Sequence, residues 1–127
     1  MILGFKKETE PLTDYEKETI LPAIVALLKG RHGVRAAITS KRICSILEQY
    51  QISEPRVRKI INHIRTADLV PCLIANSGGY YLAQSEEEML TYEESLLGRE
   101  EAIHNVRKAM ERQRRMLYGD GQLTLFG

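Results

Sequence analysis

The chain has two cysteines, no tryptophan and four prolines in 127 residues, and no apolar run long enough to span a membrane. Each scarcity removes a class of protein. Cys44 and Cys72 stand in apolar-periodic surroundings with no zinc-ligand spacing, so both read as buried thiols of a reducing cytoplasm. The opening "MILGFKKETE" lacks the apolar stretch of a secretory leader, and a cytoplasmic location is expected. His32, His63 and His104 lie far apart, each without a paired Cys or acid at ligand spacing. "NSGG" at 76–79 is too short for a phosphate loop and precedes no helix, while Ser45 and Ser77 have no evident base. "EEE" at 86–88 fits a helix start better than a metal site. No nucleophile or acid–base constellation emerges, so the chain reads as a non-enzyme without cofactor or metal.

What is present points elsewhere. A chain that is 43% hydrophobic and 28% charged has the make-up of a globular protein, and its length suits one domain with an appendage. The net charge of +1 conceals an asymmetry. Between residues 31 and 66 there are eight Lys/Arg against Glu48 and Glu54, a balance of +6, so the remainder carries −5. Such blocks suit a localised face for a polyanion.

Residues 1–12, with Gly4 and Pro11 and no period, read as a flexible arm. "TDYE" at 13–16 is a capping box, in which Thr13 serves a helix N–H and Glu16 reaches back. A helix to about Lys29 follows, kinked or restarted at Pro22 and ended by Gly30 and Gly33. "AAIT" at 36–39 is a possible short strand, and Thr39 or Ser40 can cap the next helix, which buries Ile43, Ile46 and Leu47. Ser53 caps a third helix with Pro55 in its first turn and Val57, Ile60, Ile61 and Ile64 as an inner stripe. "LVPCLIA", "NSGG" and "YYLA" form a hairpin signal over 69–83. Ser85 and Glu88 then open a long helix over 85–118, leaving 119–127 as a flexible tail.

The order helix, short strand, helix, turn, helix, hairpin resembles a winged helix-turn-helix domain over residues 13–84, a mainly α (α+β) fold with a small β-hairpin wing. "ITSKRICSILEQYQISEPRVRKIINHIRTADLV" carries the resemblance. It implies that the third helix enters the major groove of duplex DNA. At 100° per residue, Lys59, Asn62 and Thr66 lie opposite the inner stripe, flanked by Arg56, Arg58 and His63, with no carboxylate among them. Arg and Asn are the side chains that read base edges bidentately. Arg31, Arg35, Lys41 and Arg42 are better placed for phosphates. The hairpin departs from the family's pattern: residues 69–84 contain no Lys or Arg, so Tyr80 and Tyr81 either touch a backbone or pack the wing on the core.

In the long helix, Met89, Tyr92, Leu96, Arg99, Ile103, Val106, Met110, Gln113 and Leu117 step by 3 and 4, a heptad seam interrupted by Arg99 and Gln113. Residues 85–101 balance to −6 and 102–118 to +4, a distribution that suits the helix dipole and favours antiparallel pairing. The helix either pairs with a second copy, giving a homodimer, or folds back on its own domain. Finally, "QLTLF" (Gln122, Leu123, Thr124, Leu125, Phe126) resembles the peptide by which bacterial replication and repair proteins dock on the β sliding clamp, with Thr124 where Ser or Asp is usual. The combination resembles small phage or bacterial replication-region accessory proteins. The expected role is therefore DNA binding in replication or recombination. The alternatives are a dimeric winged-helix transcriptional regulator, or a protein adaptor that uses the winged helix without DNA.

Overall fold

A computed structural model describes residues 10–119, so the tail Gln122–Phe126 and most of the proposed arm lie outside the described residues. The chain divides between Met89 and Leu90 into two compact units. Four α-helices and one hairpin account for most of the described residues: α1 (Leu21–Leu28), α2 (Ser40–Ile46), α3 (Glu54–Thr66), β1 (Leu73–Asn76), β2 (Gly79–Leu82) and α4 (Glu86–Tyr118).

The first capping box forms in full. Thr13 Oγ1 accepts the Glu16 N–H at 3.1 Å and Glu16 Oε1 accepts the Thr13 N–H at 2.8 Å. A π-helical turn, Glu16–Ile20, then leads into α1, and the Leu21 N–H bonds back to the Glu16 carbonyl, five residues away. The cause is Pro22, which has no N–H for the α-helical ladder and whose ring crowds the carbonyl four residues before it. The wider turn ahead of it relieves that crowding. The chain leaves α1 through Gly30 at φ 81°, and the Arg31 Nε donates to the Leu27 carbonyl at 2.6 Å, satisfying one orphan acceptor of the helix end.

Thr39 caps α2 by accepting the Arg42 N–H. The sequence suggests a helix through Tyr50 and a three-residue turn, "QIS" at 51–53, but the α-helix closes at Ile46, four residues earlier, because the chain tightens into a 3₁₀ turn over Glu48–Tyr50 and then enters the left-handed region at Gln51 (φ 53°). The link between the two helices is thus longer than that turn. Ser53 caps α3 by accepting the Arg56 N–H at 3.4 Å. α3 ends with Asp68 at φ 60° while the Leu69 N–H reaches the Ile64 carbonyl at 3.0 Å, a Schellman closure made without glycine.

β1 and β2 are antiparallel, with Leu73 opposite Leu82 and Asn76 opposite Gly79. The Asn76 Oδ1 accepts the Gly78 N–H at 2.8 Å and closes the two-residue turn. The free edge of β2 is covered by the 31–38 segment. The Leu82 N–H donates to the Arg31 carbonyl and the Gly33 N–H to the Leu82 carbonyl, while Ile38 and Tyr80 exchange two bonds at 3.0 and 2.8 Å. "AAIT" is thus a single bridge at Ile38, and the strand-like cover is shared with His32 across a 3₁₀ turn at Val34–Ala36. Ile20, Ile24 and Leu28 meet Ile43 and Leu47, the four inner residues of α3, and Val70 and Leu73 in one core.

α4 begins with a shifted capping box: Ser85 accepts the Glu88 N–H, but the Glu88 carboxylate reaches the Gln84 N–H rather than that of Ser85. It contains no buried residue over its 33 positions. Among the described residues no helix is long and apolar enough to cross a membrane.

Candidate nucleic-acid interface

α3 is held from behind. Val57, Ile60 and Ile64 are fully buried and Ile61 nearly so, a β-branched wedge that fixes the rotation of the helix against α1 and α2. The opposite surface is therefore determined: Arg58, Asn62, His63 and Thr66 are exposed, and Lys59 and Arg65 are half-buried. The Thr66 hydroxyl donates to the Asn62 carbonyl at 3.0 Å, which fixes its rotamer and leaves its lone pairs outward as acceptors. Lys41 and Arg42, in the first turn of α2, and Arg35, in the Val34–Ala36 turn, are also exposed.

Arg56 does not belong to that surface. It is 9% exposed, and its guanidinium grips Glu16 bidentately, Nε to Oε2 at 2.8 Å and Nη2 to Oε1 at 2.6 Å. Its remaining donors hold the carbonyls of Glu10 (2.8 Å) and Pro11 (2.9 Å). At −100° from Val57 the residue lies on the rim of the inner stripe, and the chain before the capping box fills the space outside it. Residues 10 and 11 are thereby tied to α3, and Leu12 packs against the core, so the segment assigned to a free arm is anchored from residue 10 on. The Glu16 carboxyl is held below the ordinary carboxylate range, first by the Arg56 hydrogen bond, with burial opposing and Thr13 helping. The guanidinium is raised by the same bond. Arg56 is an architectural residue that sets the first turn of α3.

Arg31 is likewise turned inward. It is half-buried, and besides Leu27 it serves the Ala36 carbonyl at 3.1 Å, bracing the loop that covers β2. Both arginines counted toward the +6 block, so the outward charge is smaller than the sequence total implies. Glu48 and Glu54 remain exposed at the ends of the link between α2 and α3. Burial and the Glu54 charge push the Cys44 thiol up, and the Arg58 guanidinium pulls against them. Cys44 is half-buried and Cys72 is exposed, so neither is the fully buried thiol that the sequence suggests.

In the hairpin, Tyr81 is buried and Tyr80 is half-buried with its hydroxyl 2.9 Å from the Ser40 Oγ. Tyr80 ties the hairpin to the start of α2 and packs against the core, while the Tyr81 hydroxyl accepts from Asn76 within the hairpin. Sequence reasoning missed this tie and the Glu16–Arg56 pair, because each joins residues 40 apart and neither leaves a local pattern. Among the described residues no group of three or more His, Cys, Asp or Glu could hold a metal ion.

Of the seam of α4, Met89 and Tyr92 are half-buried, whereas Leu96, Ile103, Val106 and Met110 are exposed, Ile103 by 68%. The basic half has one acid, Glu111, and it is engaged within the helix by Lys108 at 3.2 Å and Arg115 at 3.4 Å. No family model, no curated protein and no solved structure matches this chain.

Proposed function

We propose that residues 10–89 form a winged-helix-type module that binds duplex DNA through the outer surface of α3. We further propose that the chain serves replication or recombination as a non-enzymatic accessory protein recruited to the β sliding clamp by Gln122–Phe126. The observation that carries the first part is the surface of Arg58, Lys59, Asn62, His63 and Thr66: it holds cations, an amide and a hydroxyl, contains no carboxylate, and stands on a rigid aliphatic base. Lys41, Arg42 and Arg35 supply candidate phosphate contacts. The element order, and the covering of β2 by the 31–38 segment, support the winged-helix likeness. The clamp reading rests on sequence alone: Leu125 and Phe126 fill an apolar pocket, Leu123 lies on its lip and Gln122 meets polar groups. The docked affinity is then micromolar, about 8 kcal/mol.

Arg58→Glu with Lys59→Glu tests the DNA surface, with Arg56 left intact because it is buried against Glu16 and its loss should destabilise the fold. Duplex affinity should fall at least tenfold and the salt slope by about 2, with the circular dichroism spectrum unchanged. Salt-dependent binding that survives the double reversal rejects the surface. Titration of the peptide 119–127 against purified clamp, beside a version with Leu125→Ala and Phe126→Ala, tests the tail; binding by neither rejects it. One observation favours the adaptor reading: the hairpin, with no Lys or Arg from 69 to 84, offers no cation to a minor groove. That reading requires the double reversal to leave function intact.

A further inference from the structure

α4 leaves an apolar seam and two blocks of opposite charge in solvent, and the positions flanking the seam decide what covers it. We propose that α4 pairs with α4 of a second copy, antiparallel, in the register that sets Ile103 against the partner's Val106. The residues one step beyond the second apolar position of each heptad are Glu93, Glu100, Arg107 and Arg114. In this register Glu100 meets the partner's Arg107 and Glu93 meets the partner's Arg114, so every such contact joins opposite charges. Glu93, Glu100 and Arg114 have no ion-pair partner among the described residues, and Arg107 lies 3.5 Å from the His104 ring nitrogen of its own helix, a contact that the pairing exchanges for Glu100. The other flank sets Ala102 against the partner's Ala109, small enough for close approach of the two backbones. The two-fold axis passes between His104 and Asn105.

A parallel pair gives the opposite result. It places Glu88 beside the partner's Glu93, faces Arg107 and Arg114 with alanines, and makes no opposite-charge contact. Arg99 and Gln113 at seam positions weaken the pair, as polar seam residues do while fixing register. This inference does not depend on whether α3 binds DNA.

Sedimentation equilibrium of the full chain tests it. Glu100→Arg and Arg107→Glu should each weaken the dimer about tenfold, since each turns two symmetric attractions into repulsions. The double exchange should restore it. Orientation is read by pulsed electron spin resonance with a spin label on Thr91→Cys, in a chain whose Cys44 and Cys72 are replaced by alanine. The antiparallel register separates the two labels by about 27 residues along the axis, roughly 40 Å, whereas a parallel pair brings them to about 10–15 Å. A monomeric chain, a short distance, or a double exchange as weak as the single ones overturns the proposal.

Discussion

Arg56 shows how one side chain can belong to a charge pattern without belonging to the surface the pattern describes. Four of its donors are committed, two to Glu16 and two to backbone carbonyls, so replacing it leaves a desolvated carboxylate and two orphaned acceptors. Arg56→Ala should lower stability by about 2–4 kcal/mol in a denaturant titration, and Arg56→Lys should recover only part of that because an ammonium lacks the planar fork. The pair also sets a pH dependence. Glu16 has a lowered folded-state value, so its contribution is complete above the ordinary carboxylate range and disappears as pH falls through the folded value. The wild-type chain should therefore lose stability on acidification more steeply than Glu16→Gln, which starts lower and stays flat in this term; parallel curves for the two proteins reject the assignment. Gly79 makes a second residue-level case. A Cβ there would lie 2.5 Å from the Ile38 carbonyl oxygen, at a φ of 119° that side chains avoid. Gly79→Ala should cost about 2–4 kcal/mol, because the atoms in the way are backbone and cannot turn aside.

At the scale of elements, what was legible was what is local. The Thr13–Glu16 box, the Thr39 and Ser53 caps and the stripe of α3 each sit within a few residues and form as expected, whereas the Ser85–Glu88 box forms by half, its carboxylate turning to the Gln84 N–H. The hairpin followed from a glycine turn between β-rich runs. The π turn before Pro22, the early end of α2 at Ile46 and the two-point cover of β2 were not legible, since they depend on what the backbone meets across the core. The candidate surface divides in the same way. Asn62 and Thr66 lie opposite the stripe, with His63 beside them, as the 100° step requires, but the rim residue Arg56 needed knowledge of Glu16 and of the chain at 10–11. Under the proposed DNA binding, the two sides of α3 predict different responses. Ile60→Ala should remove about 2–5 kcal/mol of stability, with DNA affinity lost only in proportion to unfolding. Asn62→Ala should leave the melting temperature within a degree or two and relax discrimination at one base position by about 1–3 kcal/mol, measured by competition with single-base-substituted duplexes.

Across the whole molecule the apolar material is unevenly placed. Among the described residues every buried hydrophobic lies between Ile20 and Tyr81, whereas α4 buries none. The first unit thus contains its own core, and a chain ending at Met89 should unfold cooperatively, with a midpoint within a few degrees of the first transition of the full-length protein. α4 stands in the reverse position. A single helix with Gly98 near its middle, stabilised by exposed pairs such as Lys108–Glu111, is marginal in water without a partner surface. On the pairing proposed above, its helicity is linked to association, because whatever binds only the folded form stabilises it by mass action. Far-ultraviolet circular dichroism on dilution separates the two units. The signal of the chain ending at Met89 should be independent of concentration, while the full-length signal should fall as the pair dissociates. Sodium chloride should raise the concentration at which it falls, because the flanking contacts are exposed and screened. A full-length signal that is flat with dilution at both low and high salt means that α4 is held by something other than a second copy.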